Sequence, residues 1–96
     1  MTIPPYNRMK RFLKTLRAVS SGAADANIRF DDLCGLLQTV GFRRRVRGDH
    51  HIFVRDGVDE ILNLQPRGSK AKPYQVKQTR KLFEKYRFEA IDDSDV

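Results

Sequence analysis

The chain has 96 residues, 40% of them hydrophobic, and a net charge of +7 from 19 Lys and Arg against 12 Asp and Glu. That length fits one small domain with a limited core, and the apolar content, with six Phe and three Tyr, excludes a disordered chain. No apolar run approaches the roughly 20 residues of a membrane span, and Met1-Thr2-Ile3-Pro4-Pro5 leads into a basic amphipathic stretch instead of an apolar signal core, so a cytoplasmic protein without a membrane partner is expected.

Four of the 12 acids lie in the tail Glu89-Ala90-Ile91-Asp92-Asp93-Ser94-Asp95-Val96, which leaves residues 1–88 with 19 positive charges against 8 negative ones. A basic surface of that density points to a polyanionic partner, nucleic acid first. The single cysteine, Cys34, allows no internal disulfide and no cysteine cluster for zinc. Between Leu33 and Leu36-Leu37 it reads as a buried thiol.

Residues 7–20 carry Met9, Phe12, Leu13, Leu16 and Val19 at helical spacing, with Arg8, Lys10, Arg11, Lys14 and Arg17 on the other faces. Pro4-Pro5 is expected to block an earlier start and Asn7 to cap the helix; Ser20-Ser21-Gly22 ends it. A polar connection, Ala23 to Asn27, leads to a second helix from about Phe30 to Val40. Its stripe is Phe30, Leu33, Leu37 and Val40, widened by Cys34 and Leu36. Asp31 and Asp32 suit its positive end, and Gly41 suits a left-handed stop.

Three strands are expected next. Phe42 to Val46 alternates large apolar residues with arginine, and Arg47-Gly48-Asp49 turns the chain. His50 to Arg55 forms the second strand, Asp56-Gly57 signals a hairpin, and Glu60 to Gln65 forms the third. A basic loop, Pro66 to Ala71, precedes a helix opened by Pro73 and running to about Arg87, with Val76, Thr79, Leu82, Phe83 and Tyr86 inward. The acidic tail is expected to fray. The order predicts an α+β fold, α-β-β-β-α with an additional N-terminal helix, in which helices cover one face of a meander and leave the other open. The organisation expected is an N-terminal helical extension over 1–28, a core domain over 29–88 and an acidic tail over 89–96.

The only two histidines, His50 and His51, are adjacent. Consecutive strand residues point to opposite faces, so the pair is not a shared metal site, and no other His, Cys, Asp or Glu stands at ligand spacing; neither metal nor cofactor is expected. Cleavage of RNA by its own 2′-hydroxyl needs no metal. It needs a group that exchanges a proton near neutral pH, which histidine supplies, and cations for the charge on the phosphorane, which Lys and Arg supply. His50 follows a turn and is flanked by such cations. Arg47-Gly48-Asp49 also spells a cell-adhesion tripeptide, which in a basic chain reads as a turn.

Gly41-Phe42, then Gly48-Asp49-His50-His51-Ile52-Phe53, then Ile61-Leu62-Asn63-Leu64-Gln65, then Ala71-Lys72-Pro73-Tyr74-Gln75-Val76-Lys77-Gln78 form an ordered set. Across residues 29–87 it resembles the HicA toxins of bacterial type II toxin–antitoxin systems. The resemblance implies a double-stranded-RNA-binding-domain-like fold, metal-independent endoribonuclease activity on mRNA that arrests growth, and neutralisation by a HicB-like antitoxin. It assigns the family's essential histidine, the one after Gly-Ser, to His50. Asp49 stands where the family usually has Ser and places a negative charge that opposes RNA phosphate. The N-terminal helix and the acidic tail lie outside the minimal family.

His50 is therefore the expected general acid–base group, with Arg45, Arg47, Lys70 and Lys72 as candidates for RNA binding and charge stabilisation. Tyr74 either stacks on a base or packs in the core, the second being preferred. The alternative from another class is a non-catalytic RNA-binding module on the same fold, which Asp49 favours. A helical DNA-binding domain fits poorly with a meander between the helices.

Overall fold

Helix α1 spans Pro5–Ser21 in the computed structural model, which describes residues 5–88. Its start lies two residues before the expected cap at Asn7, which is instead an exposed residue inside the helix. The reason is that proline lacks only an N–H that the first helical turn leaves unpaired, so Pro5 begins a helix instead of delaying one. Val19 and Thr15 are buried, and Phe12 and Leu16 pack on the core. Leu13, expected in the same stripe, is 39% exposed. The buried set 12, 15, 16, 19 already fills the one side that meets the rest of the protein, and Leu13 falls off its edge. The expected acidic tail, 89–96, lies outside the described residues.

Gly22, with φ +71°, ends α1. A single 3-10 turn, Asp25–Asn27, follows where only a polar connection was expected, and α2 spans Phe30–Thr39. Phe30, Leu33, Cys34, Leu36 and Leu37 are buried, as the apolar stripe implied. Burial pushes the Cys34 thiol up to about 11, so it stays a protonated core residue at neutral pH. Gly41 adopts φ +98° and turns the chain into the sheet.

The sheet has the order β1-β2-β3, with β1 over Arg43–Arg47, β2 over His50–Val54 and β3 over Leu62–Leu64, both pairs antiparallel. Helix α3 spans Pro73–Tyr86. The protein is thus α+β, three helices and a three-stranded antiparallel meander. Phe53, Leu62 and Leu64 are fully buried beneath the helices. Two details differ from the sequence expectation. The third strand begins at Leu62 and not Glu60, and Asp56-Gly57 sits in a longer connection, not a tight hairpin. Glu60 is drawn away from the sheet: Tyr86 Oη donates to its carboxylate, and Lys85 Nζ lies 2.9 Å from Oε2. Tyr74 is 59% exposed, which overturns its expected place in the core. It lies in the first turn of α3, where Gln75 and Val76 take the inward positions.

Two polar contacts fix the helices to this frame. Arg80 Nη1 donates to the Val19 carbonyl and, with Nη2, to both carboxylate oxygens of Asp25, tying α3 to the end of α1 and the 3-10 turn. Gln75, fully buried, accepts from the Lys72 N–H and donates from Nε2 to the Gln65 carbonyl, tying the start of α3 to the end of β3. The Arg80 guanidinium holds the Asp25 carboxyl below its ordinary 3.8, against the opposing effect of burial. A carboxyl depressed on folding contributes stability that is present above its unfolded pKa and lost as pH falls through the folded one. We therefore expect Asp25→Asn to destabilise the protein at pH 7 and the difference from wild type to shrink as the pH falls from about 4 toward 2. Urea denaturation across that range checks this; a difference independent of pH would show that the pair does not act through its charge.

Candidate active site

The two residues between β1 and β2, Gly48 and Asp49, form a turn in which Gly48 takes φ +59°. Any Cβ at that backbone angle would be strained, and glycine avoids the strain. The turn sets Arg47 opposite His50, Val46 opposite His51, Arg45 opposite Ile52 and Arg43 opposite Val54. Paired residues share a face of the sheet. Arg43, Arg45, Arg47, His50, Ile52, Val54 and, through its pairing with Ile52, Asn63 therefore occupy the face away from the buried Phe53, Leu62 and Leu64. That face is open and carries three arginines and one histidine.

His50 is held on it by two neighbours. Its Nδ1 lies 3.1 Å from Asn63 Oδ1, and because a carbonyl oxygen can only accept, the ring donates its Nδ1 proton there. Its other nitrogen, Nε2, lies 3.7 Å from Asp49 Oδ1. The other oxygen of Asp49 accepts a hydrogen bond from Gln65 Nε2. That bond, more than any charge nearby, holds the Asp49 carboxyl below the usual carboxylate range, with His50 and Lys72 adding to the effect. Half of the His50 side chain is exposed, at 51%.

His51 has the opposite environment. It lies on the helix side, its ring edge-on to Phe30 at 4.9 Å between centroids. Arg44 donates to its Nδ1 from both Nε, at 3.0 Å, and Nη2, at 2.7 Å. A nitrogen that accepts from an arginine carries no proton, so His51 is neutral with its hydrogen on Nε2. Burial pushes its pKa down, and the Arg44 charge lowers it further. His51 is a structural residue that anchors an edge arginine over Phe53, whose ring centroid is 5.9 Å from the Arg44 guanidinium carbon.

The structure brings Arg45 and Arg47 onto the face of His50, and Lys72 close enough to stabilise the Asp49 carboxylate. Lys70 is placed elsewhere. Its Nζ lies 3.0 Å from Asn27 Oδ1, and its backbone bridges to Arg29 beside the start of α2. Two members of the site were not singled out from the sequence, Asn63 and Gln65. The signal was present in the alternation Leu62-Asn63-Leu64-Gln65, whose leucines face the core and whose amides must face outward. Among the described residues no three His, Cys, Asp or Glu side chains converge in a way that could hold a metal ion, and no helix is long and apolar enough to cross a membrane.

The unlike surroundings of the two rings give a direct check. In an NMR titration the His51 resonances should move at a pH below the ordinary 6.5. Arg44→Ala should bring that midpoint only part of the way back, because burial is the larger cause. A His51 midpoint at or above the ordinary value would contradict the acceptor assignment at Nδ1. No family model, curated protein or solved structure matches this chain.

Proposed function

We propose that this chain is a HicA-like endoribonuclease that cleaves mRNA without a metal ion, with His50 as its general acid–base group. The observation that carries the reading is the half-exposed His50 ring on an open arginine-bearing face, with Nδ1 turned to Asn63 and Nε2 beside Asp49. The order α2, β1, β2, β3, α3, with helices on one face only, is also the order of a double-stranded-RNA-binding domain, the fold that the sequence resemblance implies.

The chemistry follows from these positions. Nε2 of His50 takes the proton of an RNA 2′-hydroxyl as its oxygen attacks the adjacent phosphorus. The bond from phosphorus to the 5′-oxygen then breaks, leaving a 2′,3′-cyclic phosphate and a 5′-oxygen that becomes a hydroxyl by taking a proton from water, while the His50 imidazolium returns its proton to solvent. The imidazolium formed in the first step is stabilised by Asp49, which its bond to Gln65 helps to keep ionised. Arg45 and Arg47 meet the phosphorane charge, where fixed cations act most strongly. Lys72 stands beside Asp49 and offsets its repulsion of the RNA backbone.

On this reading a HicB-like antitoxin silences the enzyme by covering His50 and the arginine face, since a cationic surface of this kind suits an acidic partner. In a complex of the two, the His50 ring should be buried and cleavage lost. A complex that leaves His50 open to solvent and still cuts RNA would refute that mode of control.

The principal test compares two single variants. His50→Ala should lower the cleavage rate by about 10²–10⁴-fold, the usual effect of removing a general acid or base. Because the ring is half exposed, its loss should change stability by no more than about 1 kcal/mol. His51→Ala should retain cleavage and lose stability instead. EDTA should leave the wild-type rate unchanged. Wild-type cleavage by His50→Ala, or loss of activity through unfolding alone, would overturn the assignment. RNA binding with no cleavage by the wild-type protein would favour the non-catalytic module.

A further inference from the structure

A second cationic region lies in the helical layer. The chain from Gln65 to Lys70 leads to it. Gln65 holds Asp49 on the open face; Arg67 is exposed; Lys70, three residues on, reaches Asn27 at the entrance to a groove between α1 and α2. Backbone bonds from Phe30 N to Ser69 O and from Ala71 N to Ile28 O, both 2.9 Å, clamp that loop to the start of α2. The groove has a volume of about 690 Å³. Lys10, Arg11 and Lys14 of α1 line one side, and Arg29 and Asn27 line the other. One carboxylate, Asp32, also lines it, so four cations face a single acid. Among the described residues none of these four cations forms an ion pair.

We infer that this groove is a second, non-catalytic seat for the RNA phosphate backbone, and that the Gln65–Lys70 loop carries the RNA round the edge of the molecule between it and His50. The inference rests on the proposed RNA-cleaving function and adds to it where the rest of a long substrate lies. Three observations favour RNA over an acidic protein. The cations are exposed side chains on both walls, the arrangement that follows a backbone of repeated charges. Ile28, the bulkiest apolar residue of the lining, is itself buried, so no large apolar side chain stands exposed in the groove as an anchor. Arg67 and Lys70 supply cations along a stretch of chain that joins the two regions. The molecule extends 33 × 28 × 28 Å, so a ligand must be long to reach both faces.

The test uses the full chain carrying His50→Ala, so that RNA stays intact, and fluorescence anisotropy with unstructured RNAs of about 6 and about 30 nucleotides. The variant pair is Lys14→Gln with Arg29→Gln, and Lys81→Gln on α3 is the control. For the long RNA, loss of two backbone contacts should reduce the slope of log K against log salt by about 1.4 and weaken binding roughly tenfold at low salt. The control should bind as the parent does. In the active background the same pair should cleave the short RNA at the wild-type rate. A wild-type slope and affinity for the long RNA in the double variant would overturn the inference while leaving the active-site reading intact, even if the same variant lost an acidic protein. If the parent chain binds neither RNA, the functional reading fails and this inference fails with it.

Discussion

The register of the β1–β2 hairpin is the constraint on which the rest of the structure depends. A strand presents alternate side chains to alternate faces, so a shift of one residue would exchange the two faces of the hairpin. Gly48, free to take a left-handed angle, closes a two-residue turn that sets Arg47 against His50. From that single pairing follow the arginines at 43, 45 and 47 on the open face and Phe53 in the core. It also separates the two histidines, one against Asn63 and Asp49, the other against Phe30 and Arg44. Two identical side chains, adjacent in sequence, therefore have different surroundings.

The helical layer makes this register worth keeping. Phe53, Leu62 and Leu64 are all but sealed from water, and a slipped sheet would expose them. The buried amide of Gln75 extends the same logic to the site. By accepting from Lys72 and donating to the Gln65 carbonyl, it holds the first turn of α3 against the end of β3, and so fixes both neighbours of Asp49. Asp49, expected from the sequence to oppose RNA phosphate, lies beside His50, with its carboxylate favoured by Gln65 and Lys72.

Much of the fold was legible because its signals are local. The helical stripes of α2 and α3, the alternation of β2 and the left-handed stop at Gly41 each depend on a few neighbouring residues, and the elements lie within a residue or two of where those signals put them. What could not be read depended on partners distant in sequence. Glu60 leaves the sheet because Lys85 and Tyr86 hold it, and Lys70 leaves the face of His50 because Asn27 and the start of α2 hold its loop. Asn63 and Gln65 join His50 only through strand pairing, although their outward direction was already implied by the leucines between them. Leu13 and Tyr74 are apolar side chains left outside because other residues had filled the inward positions.

The chemistry assigned to His50 predicts its own products. Mass spectrometry of the fragment ends, after incubation of a defined RNA with the protein in EDTA, tests the account most directly. Attack by the 2′-hydroxyl predicts 2′,3′-cyclic phosphate and 5′-hydroxyl ends from the wild-type protein and none above background from His50→Ala. Fragments ending in a 3′-hydroxyl and a 5′-phosphate, or the same ends in equal amount from His50→Ala, would contradict it.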